Sequence, residues 1–176
     1  VYYYLHEDGH MASDEWIGDY YIDVNGVWQQ NIVRAKWMNS NGKWWYRNED
    51  GSYPANAWKM IDGKWYYFDA SGYSVTGWQQ IGGLWYYFES DGKMVTGAKE
   101  IGNQEYYFTS GGVMAVGWII IDGNYHYFYS SGAHATNAWV GSYYVKADGV
   151  MAVSEWVDNG RYYVNASGIY QTGWLK

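Results

Sequence analysis

The sequence predicts an all-β fold: a solenoid, or superhelix, of stacked β-hairpin repeats of about 20 residues. Three observations carry that expectation. A tryptophan recurs at Trp16, Trp37, Trp58, Trp78, Trp118, Trp139, Trp156 and Trp174, with Ala98 once in its place, at intervals of 17 to 21 residues. A glycine recurs in the same phase, at Gly9, Gly26, Gly51, Gly72, Gly92, Gly112, Gly132, Gly149 and Gly168, closing an Asp/Asn/Ser-rich stretch after each aromatic run. The 176 residues hold 22 Tyr, 13 Trp and 23 Gly but only 4 Phe and one Pro, a balance that favours half-wet ring surfaces over one thick core.

The best-kept unit runs from Trp58 through Gly63, the strand-like Trp65-Tyr66-Tyr67-Phe68 and the turn at Gly72 to Gly77, and the unit from Trp78 to Gly97 repeats it almost position for position. The Gly72 class is read as the left-handed residue of a three-to-five-residue hairpin loop. A second class (Gly18, Gly42, Gly63, Gly83, Gly123, Gly141, Gly160) precedes the aromatic runs by two residues. Each unit is then an aromatic strand, a tight turn, a short second strand and a connector, with a connector also between the anchor tryptophan and the first ring of the run. Lone hairpins are marginal in water, so the units must stack on their neighbours. Residues 1–176 are expected to form one module of about nine units, without helix or linker, with variant short units near the ends. The chain opens in a strand-like run, Val1-Tyr2-Tyr3-Tyr4, and is expected to be part of a longer protein.

Charge narrows the function. Eleven Lys and Arg scattered among eighteen Asp and Glu, net −7, leave no basic stripe for nucleic acid and favour a cationic ligand. With no Cys there is neither a disulfide framework nor a thiolate site. No apolar run approaches the roughly 20 residues of a membrane span.

The pattern Gly-Trp-x4-Gly-x-Trp-Tyr-Tyr-Phe-x3-Gly-x-Met-x2-Gly is legible in Gly77-Trp78, Gly83, Trp85-Tyr86-Tyr87-Phe88, Gly92, Met94 and Gly97. It resembles the choline-binding, or cell-wall-binding, repeats of Gram-positive surface proteins and murein hydrolases. The resemblance runs through essentially the whole chain. It implies a non-catalytic module that binds choline or phosphocholine of teichoic and lipoteichoic acids between consecutive hairpins. It also implies a secreted, cell-wall-associated parent and no cofactor. Glucan-binding and toxin repeats share the Tyr-Tyr-Phe run but usually lack both tryptophans, which here pair as Trp37/Trp44, Trp58/Trp65 and Trp78/Trp85. A carbohydrate-binding module and a protein-interaction scaffold are the alternative readings.

A quaternary ammonium donates no hydrogen bond, so it is held by ring faces, Trp best and then Tyr. The anchor Trp and the first ring of the aromatic run lie seven residues apart. The resemblance adds a Tyr of the next hairpin and, as an occasional fourth wall, the Met that follows. If the first ring of an aromatic run faces its own pocket, alternation along the strand turns the second toward the preceding one, which selects Tyr66 over Tyr67. The sets are Trp37, Trp44 and Tyr66; Trp58, Trp65 and Tyr86 with Met94; Trp78, Trp85 and Tyr106 with Met114; and Trp118, Tyr125 and Tyr144. No cage is expected where Ala98 and Glu105 replace both rings.

Enzyme signatures are missing from the sequence. His6, His10, His126 and His134 fall at non-equivalent or near-terminal positions without metal-ligand spacing, which predicts solvated or packing roles. Carboxylates such as Asp50, Asp69, Asp91 and Asp148 sit in turn sequences, where Asp favours the bend. No phosphate loop, nucleophile elbow or zinc motif appears, so no catalytic or metal-binding residue is assigned.

Overall fold

The computed structural model describes residues 1–173, so the Trp174 position of the tryptophan series lies outside the described residues. The chain divides into two compact units, Val1–Gly77 with Phe88–Met94, and Trp78–Tyr87 with Val95–Lys176. Among the described residues every regular element is a strand, and none is a helix long and apolar enough to cross a membrane.

In the first unit, β1 (Glu15–Ile17), β2 (Tyr20–Ile22) and β3 (Trp28–Val33) form a three-stranded antiparallel sheet. Two hairpins follow, β4 (Lys36–Ser40) with β5 (Lys43–Arg47) and β6 (Ala57–Ile61) with β7 (Lys64–Phe68). Next in the chain come β8 (Gly77–Ile81) and β9 (Leu84–Phe88), again a two-stranded sheet. The second unit holds β10 (Gly97–Ile101) with β11 (Gln104–Phe108), and β12 (Gly117–Ile121) with β13 (Asn124–Phe128). Two shorter pairs complete it: β14 (Ala138–Val140) with β15 (Tyr143–Val145), and β16 (Glu155–Val157) with β17 (Tyr162–Val164).

The hairpin is closed by the other glycine class than expected. Asp62 and Gly63 join β6 to β7 with φ of 49° and 72°, and Asp122 with Gly123 join β12 to β13 with 49° and 82°. Two positive φ values in a two-residue loop are the type I′ turn, whose twist matches the strands. The anchor tryptophan therefore sits on a strand paired with the aromatic strand, and a two-residue turn stands where a connector was expected between them: Trp58 stands opposite Tyr67 and Trp118 opposite Tyr127. The Gly72-type turns instead follow the aromatic strand. They return the chain for a single bridge, Phe68 to Ser74 and Phe108 to Met114.

That return residue ties successive hairpins together. Its N–H donates to the carbonyl of the first-ring position of the hairpin before. In the first unit the pairs are Ser74 to Trp44 (2.7 Å) and Met94 to Trp65 (2.9 Å). In the second they are Met114 to Trp85 (2.8 Å), His134 to Glu105 (2.9 Å), Met151 to Tyr125 (2.8 Å) and Tyr170 to Ser142 (3.0 Å). The side chain at that position fills the space over the following turn glycine. A Cβ on Gly132 would overlap the Met114 thioether.

The core is thin and repeated. Phe68, Phe88, Phe108 and Phe128 are all but fully buried, and Val145 and Val164 take the same place in the short hairpins. Each phenylalanine is the last residue of its aromatic strand and contributes about 2 kcal/mol by burial. Within one unit the anchor of one hairpin covers the phenylalanine of the next: Trp37 stacks on Phe68 (5.8 Å between centroids, 27° between planes), and Trp78 lies 5.7 Å from Phe108. The anchors are thus half structural.

Candidate ring cages between hairpins

Antiparallel pairing explains how two rings of one hairpin converge. Trp58 is opposite Tyr67, so Trp65, two residues earlier on the same face, is its diagonal neighbour across the strand pair. Trp58 and Trp65 meet edge to face at 6.5 Å and 86°, and Trp78 and Trp85 at 6.2 Å and 85°. An edge-to-face pair forms a corner with two ring faces turned inward, the shape a compact cation needs.

The third ring comes from the next hairpin. Tyr106 lies 4.9 Å from Trp78 at 67°. Trp78, Trp85, Tyr106 and Met114 together line a cavity of about 410 Å³, floored by Ser130 and Ser131. All four expected residues of that set are brought to one place. Trp85 is 42% exposed, so its face is open to an incoming ligand, while Trp78 is half-buried.

Another set closes differently from the expectation. Trp118 and Tyr125 line a cavity of about 530 Å³ with Tyr143, Met151 and Val153. The ring facing Trp118, at 5.4 Å, belongs to Tyr143 and not to Tyr144. Tyr144 is paired with Trp139 inside its own hairpin, 5.1 Å away. Parity is the cause. Tyr66 and Tyr106 each stand two residues before a buried Phe, and in the short hairpin the residue two before the buried Val145 is Tyr143.

In the first unit Tyr66 reaches Trp37 at 4.8 Å, but it is only 6% exposed and belongs to the cluster of Ile61, Phe68, Trp37 and Tyr46. Burial pushes its phenol above the ordinary tyrosine value. Trp44, by contrast, is 52% exposed. Met94 is joined to Trp65 through its backbone, beside Trp58. Tyr86 belongs to the second unit.

Two ring clusters were not selected in the sequence. Trp139 is met by Tyr162 (5.3 Å) and Tyr170 (6.0 Å). Ser142 stands at its first-ring position, and the missing ring is supplied from the return position by Tyr170. The signal was available: Tyr170 follows Gly168 by two residues, as Met151 follows Gly149. In the first unit Tyr2, Tyr3, Tyr4, Tyr20 and Trp28 line an apolar cavity of about 550 Å³, with Tyr2 and Tyr20 at 5.6 and 5.2 Å from Trp28. Trp16 is already covered by a cation of the chain itself, the Arg34 guanidinium 5.6 Å over its ring.

Ala98 and Glu105 bring no ring to their junction. Glu105 instead faces His134 there. Among the described residues no group of three or more His, Cys, Asp or Glu is arranged to hold a metal.

Comparison with known proteins gives one answer from two directions. Residues 1–28 and 133–170 match a model described as a choline-binding repeat, 75–99 and 95–139 match a second of that description, and 56–74 match a putative cell wall binding repeat. No curated protein matches the chain. Among solved structures the chain is similar to the choline-binding domain of CbpL from Streptococcus pneumoniae, at 38% identity and a TM-score of 0.65, covering 98% of this chain and 93% of that one. It is similar to choline binding protein F of the same organism at 39% identity and a TM-score of 0.64, covering 82% of this chain and 49% of that one, and so spans about half of that relative's length. It is also similar to the modular autolysin LytC of S. pneumoniae, at 32% identity and a TM-score of 0.62, covering 97% of this chain and 39% of that one.

Proposed function

The chain belongs to the choline-binding repeat family, and from that premise we propose that residues 1–176 act as one non-catalytic attachment module that holds choline in its ring cages. The observation that carries the reading is the cavity lined by Trp78, Trp85, Tyr106 and Met114. Its walls are ring faces and a thioether, which attract a quaternary ammonium without requiring a hydrogen bond from it. The second pocket combines Trp118 and Tyr125 with Tyr143 and Met151. Trp58 and Trp65 with Met94, and Trp37 and its diagonal neighbour Trp44 with Tyr66, extend the same pattern, with Tyr66 buried in the core cluster.

Choline or phosphocholine on teichoic and lipoteichoic acids is the polymer this chemistry fits, and a secreted parent anchored at the cell wall is the setting. CbpF has been solved with a peptidoglycan analogue, which supports a wall-associated role for this repeat type. Three rings at about 1 kcal/mol each, plus methyl burial, give a Kd near 1 mM per pocket. Several pockets on one polymer add a factor of about 100 or more. Attachment is then a property of the array.

The test is a titration of intrinsic tryptophan fluorescence. Choline at about 1 mM to 50 mM should shift or quench the emission while equal NaCl does not. Identical responses to the two salts, or a response to dextran and none to choline, would overturn the reading.

A further inference from the structure

We propose that Glu105, His134 and His126 form a proton-operated clasp between the hairpins β10–β11 and β12–β13, closed without any ligand, at the place where neighbouring junctions carry a ring cage. It goes beyond the choline reading and does not depend on it.

Register identifies the substitution. Glu105 occupies in β11 the place of Trp85 in β9 and Tyr125 in β13. His126 occupies in β13 the place of Tyr106 in β11. His134 takes the return position of Met114 and Met151, with the same backbone bond to the preceding hairpin. With Ala98 at the anchor, all four cage positions have changed together. In their place stands a hydrogen-bonded chain: Glu105 Oε2 to His134 Nδ1 at 3.1 Å, and His134 Nε2 to His126 Nδ1 at 3.1 Å.

The middle ring of this chain is enclosed, while the Glu105 carboxylate at its end is half exposed. The His134 side chain is 6% exposed. Its ring stacks on Phe128 at 4.6 Å and 13° and presses on Gly149, where a Cβ would overlap the imidazole. A polar ring so enclosed needs both nitrogens bonded. The ionised Glu105 carboxylate only accepts, so His134 Nδ1 carries a proton. The contact between the two imidazoles then needs one proton between its nitrogens. A neutral pair supplies it, and so does a pair bearing one positive charge. When both rings are charged, two N–H groups face each other at 3.1 Å and the clasp opens.

The charged surroundings are mixed. Glu100 stands opposite Glu105, and Lys99 opposite Tyr106, across β10–β11. Asp122 lies in the turn before β13, and Asp148 lies in the turn before Val150, which bridges to His126. Burial, followed by the charge of His134, pushes the His126 imidazole below the ordinary histidine value, against the pull of Asp148, Glu105 and Asp122. A depressed histidine is protonated first in the unfolded chain. Its contribution to stability is therefore present above about pH 6.5 and lost as pH falls through the folded value.

The experiment uses choline-free buffer, so the outcome is separate from that of the fluorescence titration. Wild type and His134→Met, which restores the residue of the neighbouring junctions, are melted at about pH 7.5 and about pH 5. Burial of His126 persists in the variant, so only the part due to the facing imidazole differs, and wild type should lose about 1–2 °C more than the variant over that interval. Acid effects at other carboxylates and at His6 and His10 are common to both proteins. In parallel, ring-nitrogen NMR of the wild type should show His126 taking up its proton only below the ordinary histidine value, with a proton on His134 Nδ1 at about pH 7.5. Equal melting losses in the two proteins, or protonation of His126 at the ordinary histidine value, would overturn the proposal. Should His134→Met fail to fold, the wild-type NMR alone decides.

Discussion

Trp85→Ala separates binding from folding at a single pocket. Trp85 lines the cavity of Trp78, Tyr106 and Met114, meets Trp78 edge to face at 6.2 Å, and leaves 42% of itself exposed. Removing the ring deletes one cation–π face, about 1 kcal/mol, which is about a fivefold loss of affinity at that pocket. The exposed ring carries little of the core, so the stability cost is about 1 kcal/mol. Trp78→Ala should cost more, about 2–3 kcal/mol, because Trp78 also packs on Tyr87 and Phe108. The assay is a choline titration followed by the indole N–H resonances. In Trp85→Ala the midpoint read from Trp78 should rise about fivefold, while that read from Trp118 stays at the wild-type value. An unchanged Trp78 midpoint, or an equal rise at Trp118, would refute the assignment of Trp85 as a cage wall.

Tyr143→Ala should weaken choline binding read at the Trp118 indole by about fivefold, whereas Tyr144→Ala should leave that midpoint unchanged and mainly lower the melting temperature, since Tyr144 packs on Trp139. Gly132→Ala should destabilise the chain by about 2–3 kcal/mol in urea unfolding, since it combines a left-handed φ of 82° with overlap on Met114. Gly123→Ala, with the same φ but open space around the Cβ, should cost about 1–2 kcal/mol. Equal losses in the two glycine variants would show that the Met114 contact contributes nothing.

Period, strand content and the ring positions of the central pockets were legible because they recur. Trp58, Trp78 and their partners repeat at fixed spacing, and strand alternation selected Tyr66 and Tyr106. What sequence could not rank was two glycine turns of similar composition. Asp62-Gly63 and the run from Asp69 to Gly72 both read as turns, and only backbone dihedrals show that the first closes the hairpin. Counting from the first ring of the run leads to Tyr144, whereas counting back from the buried residue leads to Tyr143. Parity is anchored by the buried residue, and Val145 is a weaker marker than a phenylalanine. Tyr170 was hidden because its ring enters from the return position. His126 and His134 seemed unrelated because one lies on a strand and the other after a turn, eight residues on. Their partnership exists only once Gly132 reverses the chain between them.

The most direct test of the account is a crystal grown in choline. It predicts ordered choline against Trp78, Trp85 and Tyr106 with Met114 behind it, and none against Ala98 and Glu105, where the imidazoles already fill the junction. Choline density at Ala98 and Glu105, or a pocket at Trp78 and Trp85 that stays empty while choline binds elsewhere, would contradict it.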